Sequence, residues 1–114
     1  MDKNSRILLR HILESIEWIE RYAKGISKEE FVASMQTQDA VMRRLAIISE
    51  ATKNLPVEVR QQYAQIPWNN IAGMRDILIH EYFGVDVEMV WNTIEKDLPI
   101  FKMHVENILA KLSE

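Results

Sequence analysis

From about Ser5 to Lys24, the residues Ile7, Leu8, His11, Ile12, Ser15, Ile16, Ile19 and Tyr22 recur mostly three and four positions apart. That spacing puts them on one side of an α-helix and predicts a first helix with a core-facing stripe. Gly25 follows as a C-terminal stop. Ser27-Lys28-Glu29-Glu30 has the residues of a capping box, in which the Ser27 and Glu30 side chains each satisfy the other's free backbone amide. A second helical piece therefore starts there. The apolar pattern weakens between Ser34 and Gln38, then resumes through Val41, Met42, Leu45, Ile48 and Thr52. This helix is expected to end near Asn54, because Pro56 disfavours helical geometry in Leu55 and cannot extend the ladder.

Pro56 opens a short helical turn bearing Val57, Val59 and Tyr63, and Pro67 takes the first position of the next helix, with Trp68, Ile71, Met74, Arg75, Leu78, Ile79 and Tyr82 along it. Gly84 is a plausible stop for it. Asp86 is the expected N-cap of a last helix carrying Val87, Val90, Trp91, Ile94, Leu98, Phe101, Val105, Ile108 and Leu112, which Pro99 should kink or break. Four to five helices with short connections predict an all-α fold, an antiparallel bundle. No repeat or linker divides it, so residues 1–114 read as a single domain.

Composition narrows the chemistry. The 114 residues are 47% hydrophobic and 27% charged, with three glycines and three prolines, too few turn formers for a β-sandwich and too apolar for disorder. No cysteine is present, which removes disulfides, thiolate metal sites and a cysteine nucleophile, and fits a cytoplasmic setting. Arg10, His11 and Glu14 interrupt the apolar start before a secretion signal can form, and no uncharged run approaches the roughly 20 residues that cross a bilayer. No membrane contact is expected. A net charge of −3 argues against coating nucleic acid through bulk positive charge, so any RNA contact must be focal.

Three histidines offer weak metal candidates, since His80 and Glu81 point apart on a helix and His11 with Glu14 is a lone pair; neither a metal nor a cofactor is expected. The segment from Gly73 to Gly84 is different, because it places Arg75, His80 and Tyr82 close together near a helix end. An imidazole can take a proton from a ribose hydroxyl or give one to a leaving oxygen. A guanidinium fork binds phosphate and stabilises its transition-state charge, and a tyrosine hydroxyl can position the phosphate or accept a modification. At about 100° per residue Tyr82 lies about 20° from Arg75, but His80 lies about 140° away. Either the helix distorts near His80, or a second copy of the chain completes the site. Spacing alone carries little weight, since Arg6 and His11 repeat it; the bland alternative is a structural helix with Arg75 paired to a carboxylate and Tyr82 packed on the core.

Arg75-x-x-x-x-His80-x-Tyr82 resembles the RxxxxHxY signature of HepT-like toxins, of the HEPN superfamily of helical ribonucleases. The likeness extends through Asp39-Ala40-Val41-Met42-Arg43-Arg44-Leu45, Ile48-Ser49-Glu50-Ala51, Pro67-Trp68, Val85-Asp86, Val90-Trp91 and Asp97-Leu98-Pro99. It implies a homodimeric HEPN-type bundle acting as a metal-independent endoribonuclease, the toxin of a type VII-like toxin–antitoxin pair. Arg75 and His80 would be catalytic, in the dimer cleft. The antitoxin would be a minimal nucleotidyltransferase that attaches AMP to Tyr82, setting negative charge beside Arg75 and His80 and repelling RNA. Asp76 stands where many relatives carry Asn, and its charge beside the phosphate site would lower activity. Asp76 and Glu50 are candidate supports of the site, and Arg43 or Arg44 a candidate contact for RNA or a partner. Adjacent on a helix, these two arginines diverge by about 100°, so at most one should face the cleft. Trp68, Trp91 and the methionines are expected in the core or a dimer interface. The alternative function is a non-catalytic helical dimer that binds a nucleotide or a nucleotidyltransferase.

Overall fold

The computed structural model describes residues 1–80 and 86–112, with 75–80 as helix backbone alone. Its elements are α1 (Lys3–Ala23), α2 (Lys28–Ala33), α3 (Met35–Lys53), α4 (Val57–Gln62), α5 (Trp68–His80), α6 (Val87–Asn92), a π-helical segment (Thr93–Asp97) and α7 (Leu98–Leu112). No strand occurs among the described residues, and the fold is an all-α bundle. α3 packs against both α1 and α5, and α7 packs against α1.

Local signals set most boundaries. Asp2 caps α1 by accepting the Ser5 N–H at 2.7 Å, and Gly25 leaves its C-terminus at φ +76°, a left-handed conformation that costs glycine little. The Ser27–Glu30 capping box forms as expected. Helix 28–53 is not continuous, however. It breaks at Ser34, whose hydroxyl accepts the Thr37 N–H and donates to Thr37 Oγ1 at 2.8 Å, while the Gln38 amide donates to the carbonyls of Phe31 and Val32. A serine that bonds nearby backbone competes with the helix ladder, and here it closes one helix and caps the next. Asn54 and Pro56 bound α3 and α4 as expected. Pro67 lies just before α5 and its carbonyl accepts the Ile71 N–H, so it caps the helix and does not occupy its first turn. Asp86 caps α6 through the amides of Glu88 and Met89. Gly84 lies outside the described residues.

Pro99 does not break the last helix. Proline lacks an amide hydrogen and its ring crowds the carbonyl four residues earlier, and the chain relieves both by widening into the π-helical segment immediately before it.

The core gathers Leu9, Ile12, Ile16 and Ile19 from α1, Phe31 from α2, Val41, Leu45 and Ile48 from α3, and Phe101, Val105 and Ile108 from α7. Phe31 packs on Trp91 with ring centres 5.2 Å apart, and Trp68 meets Phe101 edge-on at 5.8 Å. These aromatic pairs fasten α2 to α6 and α5 to α7. The Trp68 indole N–H donates to the Tyr63 carbonyl at 3.0 Å, which meets its one polar need. One expectation fails here. Ile7 and His11 are exposed, because the buried side of α1 is centred on Ile12, Ile16 and Ile19 and turns them away. Met1, Met35, Met89 and Met103 are exposed in the single chain, so they lie outside its core, and of the two places expected for the methionines only a dimer interface stays open to them. At the surface, Lys102 donates to Glu20 at 2.8 Å and joins α7 to α1; that hydrogen bond holds its ammonium above the usual lysine range. The pair's contribution is full below that range and fades as pH rises through the raised value.

Candidate functional site

The residues singled out by chemistry converge on α5 and its neighbours. Arg75, Asp76 and His80 are backbone positions of α5, which runs as α-helix to His80. With no distortion, the Arg75 and His80 positions stay about 140° apart around the axis and about 7.5 Å apart along it. One helix therefore does not bring them together. Tyr82 lies outside the described residues.

The helix turn before Arg75 lines an apolar cavity of about 410 Å³. Ile48 of α3, Ile71 and Met74 of α5, and Leu98, Ile100 and Phe101 of α7 form it, with Asn70, Asp97 and His104 as polar groups at its edge. Ile100 is 57% exposed at its mouth, and Met103, on the same helix, is 51% exposed.

Glu50 is exposed near the end of α3, where its carbonyl and carboxylate accept from the Asn54 side chain at 3.0 and 3.4 Å. Arg43 is exposed and Arg44 half-buried, so the two diverge as expected. Arg44 meets no carboxylate among the described residues; its guanidinium carbon lies 5.4 Å from the centre of the Trp18 ring. Arg21 approaches the same ring at 4.5 Å, and Tyr22 stacks beside it at 5.9 Å. Each cation–π contact of this kind is worth about 0.5–1 kcal/mol at an exposed site. In the sequence, Tyr22 is placed only in the core-facing stripe and neither Trp18 nor Arg21 is singled out, although the i, i+3, i+4 spacing of the three puts them on one helix face. No group of three or more His, Asp or Glu side chains among the described residues is placed to hold a metal.

The chain matches the family described as Ribonuclease HepT-like over residues 12–108, a span that holds Arg75, His80 and Tyr82. It belongs to the HepT-like ribonuclease family. A Methanocaldococcus jannaschii protein, "Gamma-glutamylcyclotransferase and putative RNase", is 49% identical over all 114 residues, and the chain spans 51% of that relative's length. A "Putative RNase" of Caldanaerobacter subterraneus subsp. tengcongensis is 48% identical over 96% of this chain and 97% of its own length. A "Probable ribonuclease HepT" of Thermococcus cleftensis is 43% identical over 95% and 98%. No solved structure gave a significant match. The resemblance drawn from the Arg75, His80 and Tyr82 spacing thus extends to a HepT-like assignment across nearly the whole chain.

Proposed function

We propose that this HepT-like chain is a metal-independent endoribonuclease, the toxin of a cytoplasmic type VII-like toxin–antitoxin pair, with Arg75 and His80 as its catalytic residues. The observation that carries this reading is the family match over residues 12–108, which contains both residues on α5. A neutral His80 imidazole takes the proton of a ribose 2′-hydroxyl, whose oxygen attacks the adjacent phosphorus. The bond from phosphorus to the 5′-oxygen breaks, an imidazolium returns a proton to that oxygen, and a cyclic phosphate and a 5′-hydroxyl remain. Arg75 stabilises the charge on the pentavalent phosphorus. Asp76 and Glu50 support the site, Asp76 at some cost from its charge.

The 140° between Arg75 and His80 favours a homodimer in which each site combines residues of two copies. The exposed Ile100 and Met103 beside the apolar cavity suit such a contact, and Met74, the residue before Arg75 on α5, lines that cavity. Ile100→Glu is expected to turn the dimer into a monomer in sedimentation and to lower cleavage at least tenfold. A parent chain that sediments as a monomer and still cuts RNA would refute the shared site.

Regulation follows from the same chemistry. A nucleotidyltransferase antitoxin transfers AMP from ATP to the Tyr82 hydroxyl, releasing pyrophosphate and leaving an anionic phosphodiester that competes with RNA. The test is incubation of the purified chain, shown by intact mass to lack AMP, with RNA in EDTA. Cleavage to products ending in cyclic phosphate is expected. Intact RNA would overturn the nuclease reading and leave the non-catalytic dimer, which binds a nucleotide or nucleotidyltransferase, as the better account of Asp76.

A further inference from the structure

Arg21 and Arg44 approach one indole from two different helices, and no carboxylate neutralises either guanidinium among the described residues. Their guanidinium carbons lie 4.5 and 5.4 Å from the Trp18 ring centre, and so at most about 10 Å from each other. Glu14, Glu17 and Glu20 stand on α1 within about one turn of Trp18, Glu20 held by Lys102, and Arg43 lies beside Arg44 on α3; α1 and α3 together carry seven Lys and Arg against five Asp and Glu, in a chain whose net charge is −3. Five of the seven arginines are on these two helices.

From this geometry we infer that Trp18, Arg21, Tyr22 and Arg44 form a second RNA-binding site, which holds the phosphates of a single strand that runs past the cleavage site. An arginine held over an aromatic ring by its charge keeps N–H groups available to a phosphate, because the ring face takes up none of its hydrogen-bond donors. Two forks within about 10 Å match the reach of neighbouring phosphates on one strand, and the Trp18–Tyr22 pair adds the aromatic surface that unpaired bases use. Single-stranded RNA is favoured over an acidic protein because the site combines paired guanidinium forks with aromatic rings. The proposal rests on the ribonuclease reading above.

The test measures binding of a fluorescent single-stranded RNA of eight nucleotides to the full chain carrying His80→Ala, which prevents cleavage. Adding Arg21→Ala and Arg44→Ala should weaken binding about tenfold or more, and should lower the slope of log affinity against log salt by about 1.4, or about 0.7 for each phosphate no longer held. The same two substitutions in the chain with native His80 should slow cleavage of the long RNA and spare cleavage of a dinucleotide, which is too short to span both sites. Arg21→Lys with Arg44→Lys should restore the salt slope. A circular dichroism melt establishes that the variants are folded. Unchanged affinity and slope in the folded alanine variants would overturn this site alone. A parent chain that binds no RNA would overturn it together with the nuclease reading. Equal, equally arginine-dependent binding of polyglutamate would replace RNA by an acidic protein as the occupant.

Discussion

His80→Ala should lower RNA cleavage by about 10²- to 10⁴-fold, the usual loss when a positioned acid–base group is removed. Arg75→Ala should cost a comparable factor through the transition-state charge it no longer meets. Both losses should persist in EDTA, and the variants' melting curves should match that of the parent. The informative measurement is the mixture. Neither variant cuts alone, but if each site takes Arg75 from one copy and His80 from the other, mixed dimers hold one intact pair. Random pairing of equal amounts should then recover about a quarter of the parental rate. Absence of recovery, with exchange between dimers verified, would place both residues of a site on one chain. Cleavage by His80→Ala at the parental rate would remove the catalytic assignment altogether.

Phe31→Ala should cost about 3–5 kcal/mol of folding stability, read from urea or guanidinium titrations. Phe31 is fully buried, it is the one buried residue of the six-residue α2, and its ring rests on Trp91. Truncation would remove that ring pair, open a cavity between α2 and α6, and leave the helix without an anchor. Against a total stability of about 5–15 kcal/mol for a domain of this size, the fold would be severely weakened. The neighbouring Val32 is 43% exposed and supplies the control, since Val32→Ala should change stability by no more than about 0.5 kcal/mol. A Phe31→Ala loss below about 1 kcal/mol would mean that α2 contributes little to the bundle.

The signals that were legible in the chain are those whose partners lie within a few residues. The Ser27–Glu30 box, the Asp86 cap and the stop before Pro56 each depend on one or two nearby amides, so residue identity and spacing suffice. Ile7 lies outside the core because an apolar stripe specifies a face only to within some tens of degrees, and packing against α3 and α7 decides which edge of it is covered. Pro99 gave notice of a disturbance but not of its form, since a kink, a break and a π-helical widening all relieve the same clash. The Arg75, His80 and Tyr82 spacing was readable as chemistry and not as geometry. Arg44 shows the same limit, because its partner Trp18 lies 26 positions away and only the packing of α1 on α3 joins them.

α3 carries Arg44 over Trp18 and packs against α5, the helix that bears Arg75 and His80. A helix of 19 residues packed on its neighbour does not stretch, so Arg44 and the Arg75 position would keep a constant offset. A strand gripped at Arg44 would therefore be cut at a set distance from its grip, whatever bases it carries. The molecule would work as a caliper, and its products would be ordered by length before they were ordered by sequence.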